Sequence, residues 1–186
     1  MSSAANELPM SASVRRAQRV ALARALEGLT LDWADIDISP YWLTLPDNGA
    51  RKRLCASAGA WWLMASLRAC IDGKRLARVR DLLGDEFLAR LHESNDVELL
   101  NQAPRPLLLP AEDMAAHLLT CGRALLSWSL EPQLRVPVQQ RFGWNVDERH
   151  YKFFDEHTVW AHHALEAAQQ ENLPAAPHSC EPGTSE

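Results

Sequence analysis

LLLPAEDMAAHLLTCGRALLSWSL, residues Leu107 to Leu130, is the stretch on which the fold turns. An apolar run at Leu107 to Leu109 meets Pro110, which suits a first helical turn because its missing N–H leaves no donor unsatisfied there. Glu112 and Asp113 follow, and acids at that place complement the partial positive charge of a helix N-terminus. From Met114 the positions Leu118, Cys121, Leu125 and Trp128 recur at steps of three and four, with Leu119, Gly122 and Leu126 beside them. An apolar stripe that wide predicts a helix at the centre of a core. It brings little chemistry with it: His117 and Cys121 stand one turn apart, with no further histidine or cysteine near them in sequence.

The whole chain can supply such a core. It has 186 residues, 47% of them hydrophobic, enough for one globular domain with short appendages. The net charge of −5 hides a split. Residues 1 to 80 carry 12 basic and 7 acidic side chains, and residues 81 to 186 carry 7 and 17. A split of this kind draws the two halves together, or steers an acidic partner to the front. Cys55, Cys70, Cys121 and Cys180 are scattered and form no CxxC pair, so they read as small hydrophobes of a reducing compartment. The N-terminus lacks the layout of a secretory signal, and no apolar run approaches the roughly 18 residues of a membrane span. The expectation is a cytosolic protein with no direct membrane insertion.

Ahead of the central stretch, residues 1–10 are polar and small and are expected as a flexible arm. Ser11 or Ser13 caps a first helix running to about Glu27, with Val14, Ala17, Ala21 and Ala25 inward and Gly28 at its end. Its outward Arg15, Arg16, Arg19 and Arg24 read as a solvated face, with an acidic partner the alternative. Residues 30 to 49 then break the helical rhythm with Pro40, Pro46 and an Asp47-Asn48-Gly49 turn. Trp33, Tyr41 and Trp42 in this segment are expected to plug the core, because an exposed cluster of that size is unusual on a monomer. Asp32, Asp35 and Asp37 make no calcium loop, since the EF-hand glycine and bidentate glutamate are missing.

A second helix is predicted from Ala50 to Ile71, with Leu54, Ala58, Trp61 and Ala65 in step. Arg51, Lys52 and Arg53 in its first turn have the wrong sign for a helix N-terminus, and either Asp47 or the carboxylates of a partner compensate. Trp61 and Trp62 are adjacent and point about 100° apart on a helix. Either a wide core takes both, or one lies at an interface. A third helical region, Lys74 to Glu93, is divided at Gly84, and Pro104-Arg105-Pro106 is a stiff connector into the central helix. Beyond that helix, Pro132 and Pro137 flank an irregular stretch, with a short helix within Val136 to Phe142. A last long helix is predicted from Asn145, as cap, to Glu171, with Glu148 in the capping-box position. Residues 173–186 are proline-rich and poor in large hydrophobes, and are expected to be disordered.

The last helix holds the one tempting metal cluster, His150, His157, His162 and His163 beside Asp155 and Glu156. Helical zinc ligands sit at i and i+4, whereas His150 and His157 would stand about 10 Å apart along the axis. A metal-dependent helical enzyme is therefore the weaker reading. There is no GxSxG, P-loop or GxGxxG. A nucleic-acid-binding regulator has the arginine-rich first helix in its favour and the acidic overall balance against it. Physical reasoning thus arrives at an all-α fold: a single globular domain over residues 11–172, of about six to eight helices with Pro/Trp-containing connectors, that binds rather than catalyses. No cofactor, metal site or catalytic residue is expected.

Three blocks, in this order, add a resemblance: SPYWLTLP at Ser39 to Pro46, the LLG with following FLARL at Leu82 to Leu91, and LLLPAEDMAAHLLTCGRALL at Leu107 to Leu126. Together they resemble the SctK family, the K components of bacterial type III secretion systems. In that family a segment like HPSWL precedes a proline; here Ser39-Pro40-Tyr41-Trp42-Leu43 stands for it with Ile38 before Ser39, so the histidine is absent. Leu108-Leu109-Pro110 and Gly122 stand for the family's LLP-helix-glycine block. The resemblance covers about residues 36 to 130 and implies a helical, non-enzymatic adaptor of the cytoplasmic sorting platform at the inner-membrane base. Such an adaptor links the cytoplasmic domain of the ring protein SctD to the pod protein SctQ, and through it to SctL and the ATPase SctN. On this chain, Arg51, Lys52 and Arg53 are the expected contact with an acidic partner surface, and one ring of the Trp61/Trp62 pair is expected at a contact.

Overall fold

The computed structural model describes residues 41–45, 47–93, 100–104 and 113–172, with Arg16, Val20, Ala23, Arg24 and Glu27 as isolated positions. Eight α-helices and no strand occur among these residues, in a single compact arrangement, so the all-α expectation holds. A 3-10 turn, Tyr41–Thr44, leads into α1 (Asn48–Trp62) and the short α2 (Met64–Arg68). Next come α3 (Gly73–Leu83), α4 (Asp85–Glu93) and α5 (Met114–Trp128), followed by α6 (Pro132–Phe142), α7 (Arg149–Glu156) and α8 (Thr158–Asn172). The N-terminal arm, the first helix apart from those isolated positions, Trp33 and the acids around it, the Leu107–Pro110 approach to α5 and the tail fall outside the described residues. Among the described residues no helix is long and apolar enough to cross a membrane.

Aspartates start three of the helices. The carboxylate of Asp47 accepts from the Ala50 N–H (2.6 Å), that of Asp72 from Lys74 N–H (2.9 Å) and that of Asp113 from Ala116 N–H (2.9 Å). Each satisfies one of the donors a helix N-terminus leaves open. Two expectations change here. Asp47-Asn48-Gly49 is a cap followed by helix rather than a free turn, and Asp113 stands just outside α5 rather than in its first turn.

Two helices share the centre. Every residue of α1 from Leu54 to Trp62 is buried, with no solvent-facing side, and Leu63 and Met64 continue the run. A helix buried all round needs no amphipathic stripe. It packs against α5, and the two backbones meet at reciprocal glycines. A Cβ on Gly59 would lie 2.0 Å from the Leu118 carbonyl oxygen, and one on Gly122 would lie 1.7 Å from that of Cys55. The run Ala56-Ser57-Ala58-Gly59-Ala60 thus lets α1 approach closely. After α5, Arg135 reaches back to donate to the carbonyls of Leu130 (3.1 Å) and Trp128 (3.0 Å), among the acceptors a helix end exposes.

The remaining helices wrap this pair. α3 and α4 meet at Gly84, whose φ of 91° is open to glycine and strained for other residues, so the predicted division at Gly84 is found. α8 lies along α1, and the Trp160 indole N–H donates to the Trp62 carbonyl oxygen (3.0 Å) in the core. The Arg90 guanidinium forms a two-pronged pair with the Glu171 carboxylate, fastening α4 to α8. The expected single helices at Ala50–Ile71 and Asn145–Glu171 are each broken, at Leu63 and at His157. The last helical region starts at Arg149, whose N–H donates to the Asp147 carboxylate (3.0 Å), and Asn145 does not cap it. Pro132 opens α6 and Pro137 lies inside it, so the stretch expected to be irregular is helical.

Candidate partner-binding surface

The first turn of α1 is where this helix meets solvent, and there Arg51, Lys52 and Arg53 part company. Arg51 is half-buried: its guanidinium donates to the Leu45 carbonyl (2.7 Å) and to Asn48 Oδ1 (2.9 Å), and lies over the Phe142 ring at 4.5 Å. It clamps the 3-10 turn and the end of α6 to α1. Lys52 and Arg53 are exposed and have no ion-pair partner among the described residues. Of the two compensations open in the sequence, Asp47 is in place as the cap. The surface offered to an anionic partner at this end is therefore the Lys52/Arg53 pair.

The tryptophans go to the core. Trp61 and Trp62 are only 7% and 3% exposed, so the expectation of one ring at a contact surface gives way to the wide-core alternative. The angular step between neighbours on a helix is used in full. Trp61 packs edge-on against Phe87 of α4 (6.1 Å between centroids) and His163 of α8 (5.8 Å). Trp62 turns toward α7, edge-on to Phe154 at 4.7 Å and to Phe153 at 5.7 Å. Trp42 and Leu43 are fully buried, with the Trp42 ring stacked on Trp144 at 5.8 Å, as the core-plug reading expects.

The C-terminal histidines do not converge. Nδ1 of His150 lies 3.0 Å from the Asp147 carbonyl and Nδ1 of His157 lies 3.1 Å from that of Phe153. His162 packs on Trp128 at 5.2 Å, and His163 lies between Trp61 and Trp160. Asp155 accepts from the Trp128 indole N–H (2.8 Å). Among the described residues no three His, Cys, Asp or Glu side chains are grouped to hold an ion. The cysteine next to a histidine is also quiet. Cys121 Sγ is 3.8 Å from His117 Nε2, but burial pushes its thiol up to about 12 and pushes the imidazole below its usual range, with His150 adding to the latter. Burial raises Cys55 to about 12 as well, against the opposing pull of Arg123 and Arg51. A nucleophilic cysteine requires the opposite shift.

One surface was missed by pattern reading. Lys74 and Arg78 form a second exposed cationic pair on α3, next to Ile71, which is 101% exposed. Lys74 and Arg78 blend into the general basic character of the front half. An isoleucine before a capping aspartate ordinarily signals burial, not exposure. Compared with protein-family models, curated proteins and solved structures, the chain matches none.

Proposed function

We propose that this protein is a non-enzymatic cytoplasmic adaptor of a type III secretion sorting platform, joining an SctD-like ring protein to an SctQ-like pod protein at the inner-membrane base. The observation that carries the reading is the ordered set of three sequence blocks that resemble the SctK family. Their conspicuous residues share one structural job: Trp42 and Leu43, Phe87 and Leu91, and Leu118 and Leu125 all belong to a single hydrophobic core. A resemblance made of core positions is one of fold, and it fits a protein whose work is done by its surface. Thiols held high by burial, and imidazoles directed at backbone carbonyls, favour binding over catalysis.

The test is a pull-down of the full chain against the SctQ-like protein and the SctD-like cytoplasmic domain encoded by the same genome. Retention of either supports the adaptor, and Lys52→Glu with Arg53→Glu should weaken one of the two contacts while the melting temperature stays put. Retention of neither protein by the folded chain rejects the reading.

A further inference from the structure

Ile71 ends the connection from α2 and precedes Asp72, the cap of α3. An apolar residue there usually packs on the fourth residue of the helix, here Leu76, as a hydrophobic staple. In this protein the staple is not made: Ile71 is 101% exposed, whereas Val136 and Val159, also at the surface, are 52% and 56% exposed. The cations beside it divide into two sets. Arg75 is paired with Asp72 (3.3 Å) and Arg80 with Asp85 (2.6 Å). Lys74 and Arg78 are exposed and have no carboxylate partner among the described residues. They stand one helical turn apart, about 6 Å along the axis. Ile71 is three residues from Lys74, within about 11 Å by the reach of the chain. The exposed Asp81 closes the stripe on the far side.

We infer that Ile71, Lys74 and Arg78 form a docking surface for an acidic amphipathic helix of a partner protein. Carboxylates at i and i+4 on a helix have the same axial spacing as Lys74 and Arg78, so one turn of the partner meets both cations while an apolar neighbour covers Ile71. Charge favours this occupant. Over residues 48 to 80 the chain has eight basic side chains and a single acid, Asp72. Nucleic acid is the poorer fit, because phosphates would leave the isoleucine bare and a chain of net charge −5 repels a long polyanion. The residues are different from Lys52 and Arg53 and lie on another helix, so the two pairs can be tested against each other without knowing the partner's identity.

The probe is a fluorescein-labelled synthetic peptide of about 18 residues, leucines at helical spacing flanked by glutamates, titrated with the full-length protein by anisotropy. The control peptide replaces each glutamate with lysine. Saturable binding of the acidic peptide alone is expected. Ile71→Asp and the pair Lys74→Glu/Arg78→Glu should each weaken it at least about tenfold, and Lys52→Glu/Arg53→Glu should leave it unchanged. All of these residues are exposed, so unchanged circular dichroism and melting are expected of each variant. Equal binding of both peptides, no saturable binding, or binding indifferent to the three residues overturns the inference. So does a titration in which duplex DNA or phosphatidylserine vesicles, and not the acidic peptide, depend on them.

Discussion

Replacing Gly122 with alanine should open the centre of the protein. Neither Gly59 nor Gly122 has a left-handed φ, so only space explains why they are glycine. A Cβ at Gly122 falls 1.7 Å from the Cys55 carbonyl oxygen, 2.6 Å from its carbon and 3.0 Å from its Cα, all backbone atoms that no rotamer change moves aside. Ordinary contact starts at 3.4 Å, so α1 and α5 must part by about 1.7 Å. A gap of half that size already forfeits a quarter to a half of the dispersion attraction across the crossing. The loss is comparable to truncating one large core side chain, about 3–5 kcal/mol, against which alanine's better helix propensity returns about 1 kcal/mol. The net expectation is about 2–4 kcal/mol of destabilisation. For a chain of this size that lowers Tm by about 5–15 °C. Thermal and urea unfolding followed by circular dichroism measure it. Gly73→Ala is the control: its Cβ meets nothing within 4 Å, and the variant should be neutral or slightly stabilised. Gly59→Ala should resemble Gly122→Ala, and the double variant should cost less than their sum, because both force the same separation. A Gly122→Ala protein that melts with wild type or above it would refute the close-crossing account.

Trp160→Phe removes the indole donor to the Trp62 carbonyl and shrinks a fully buried ring, and should cost about 1–3 kcal/mol. In the wild type the indole proton should exchange with solvent only on unfolding, and fast native-state exchange would contradict the burial. His117 has its pKa lowered in the fold, first by burial and then by His150. The unfolded chain therefore binds this proton more readily, so stability is full above the ordinary value of 6.5 and declines as pH falls from there toward the folded pKa. His117→Gln should flatten that part of the stability–pH curve; an imidazole NMR titration at the ordinary value would remove the effect, and one above it would reverse the sign. Cys55 and Cys121 should resist iodoacetamide at pH 8 in the native protein and react once guanidinium unfolds it. Native-state labelling of either, located by peptide mass, would reject their assignment as buried thiols.

The helices that carry this fold were legible where periodicity and punctuation agreed. α5 follows its step of three and four from Met114, and Gly84 divides α3 from α4 at the predicted residue. α1 was legible as a helix but not as one buried on every side from Leu54 to Trp62. A run of small residues between Leu54 and Trp61 reads as weakly apolar, and its value comes from the close approach of α5, which no local pattern encodes. The break at His157 and the continuity through Pro137 were hidden because both depend on neighbours rather than on the residue's own preference. Of the candidate contact residues, Lys52 and Arg53 are at the surface and Arg51 partly so, while both tryptophans entered the core. The sequence holds the angle between adjacent tryptophans but not the presence of α4 on one side and α7 on the other.

The order in which the chain is made gives the all-round burial of α1 a consequence for synthesis. The two helices that cover it are encoded far downstream, and the Trp62–Trp160 bond spans 98 residues. At about 5–20 residues per second, a ribosome that has just completed α1 needs about 5–20 s to deliver α8. For that interval the nascent chain carries a helix that is buried on every side from Leu54 to Trp62 in the finished fold, without its native cover. Expression yield should therefore respond to chaperone supply and to growth temperature more steeply than the stability of the finished protein would indicate.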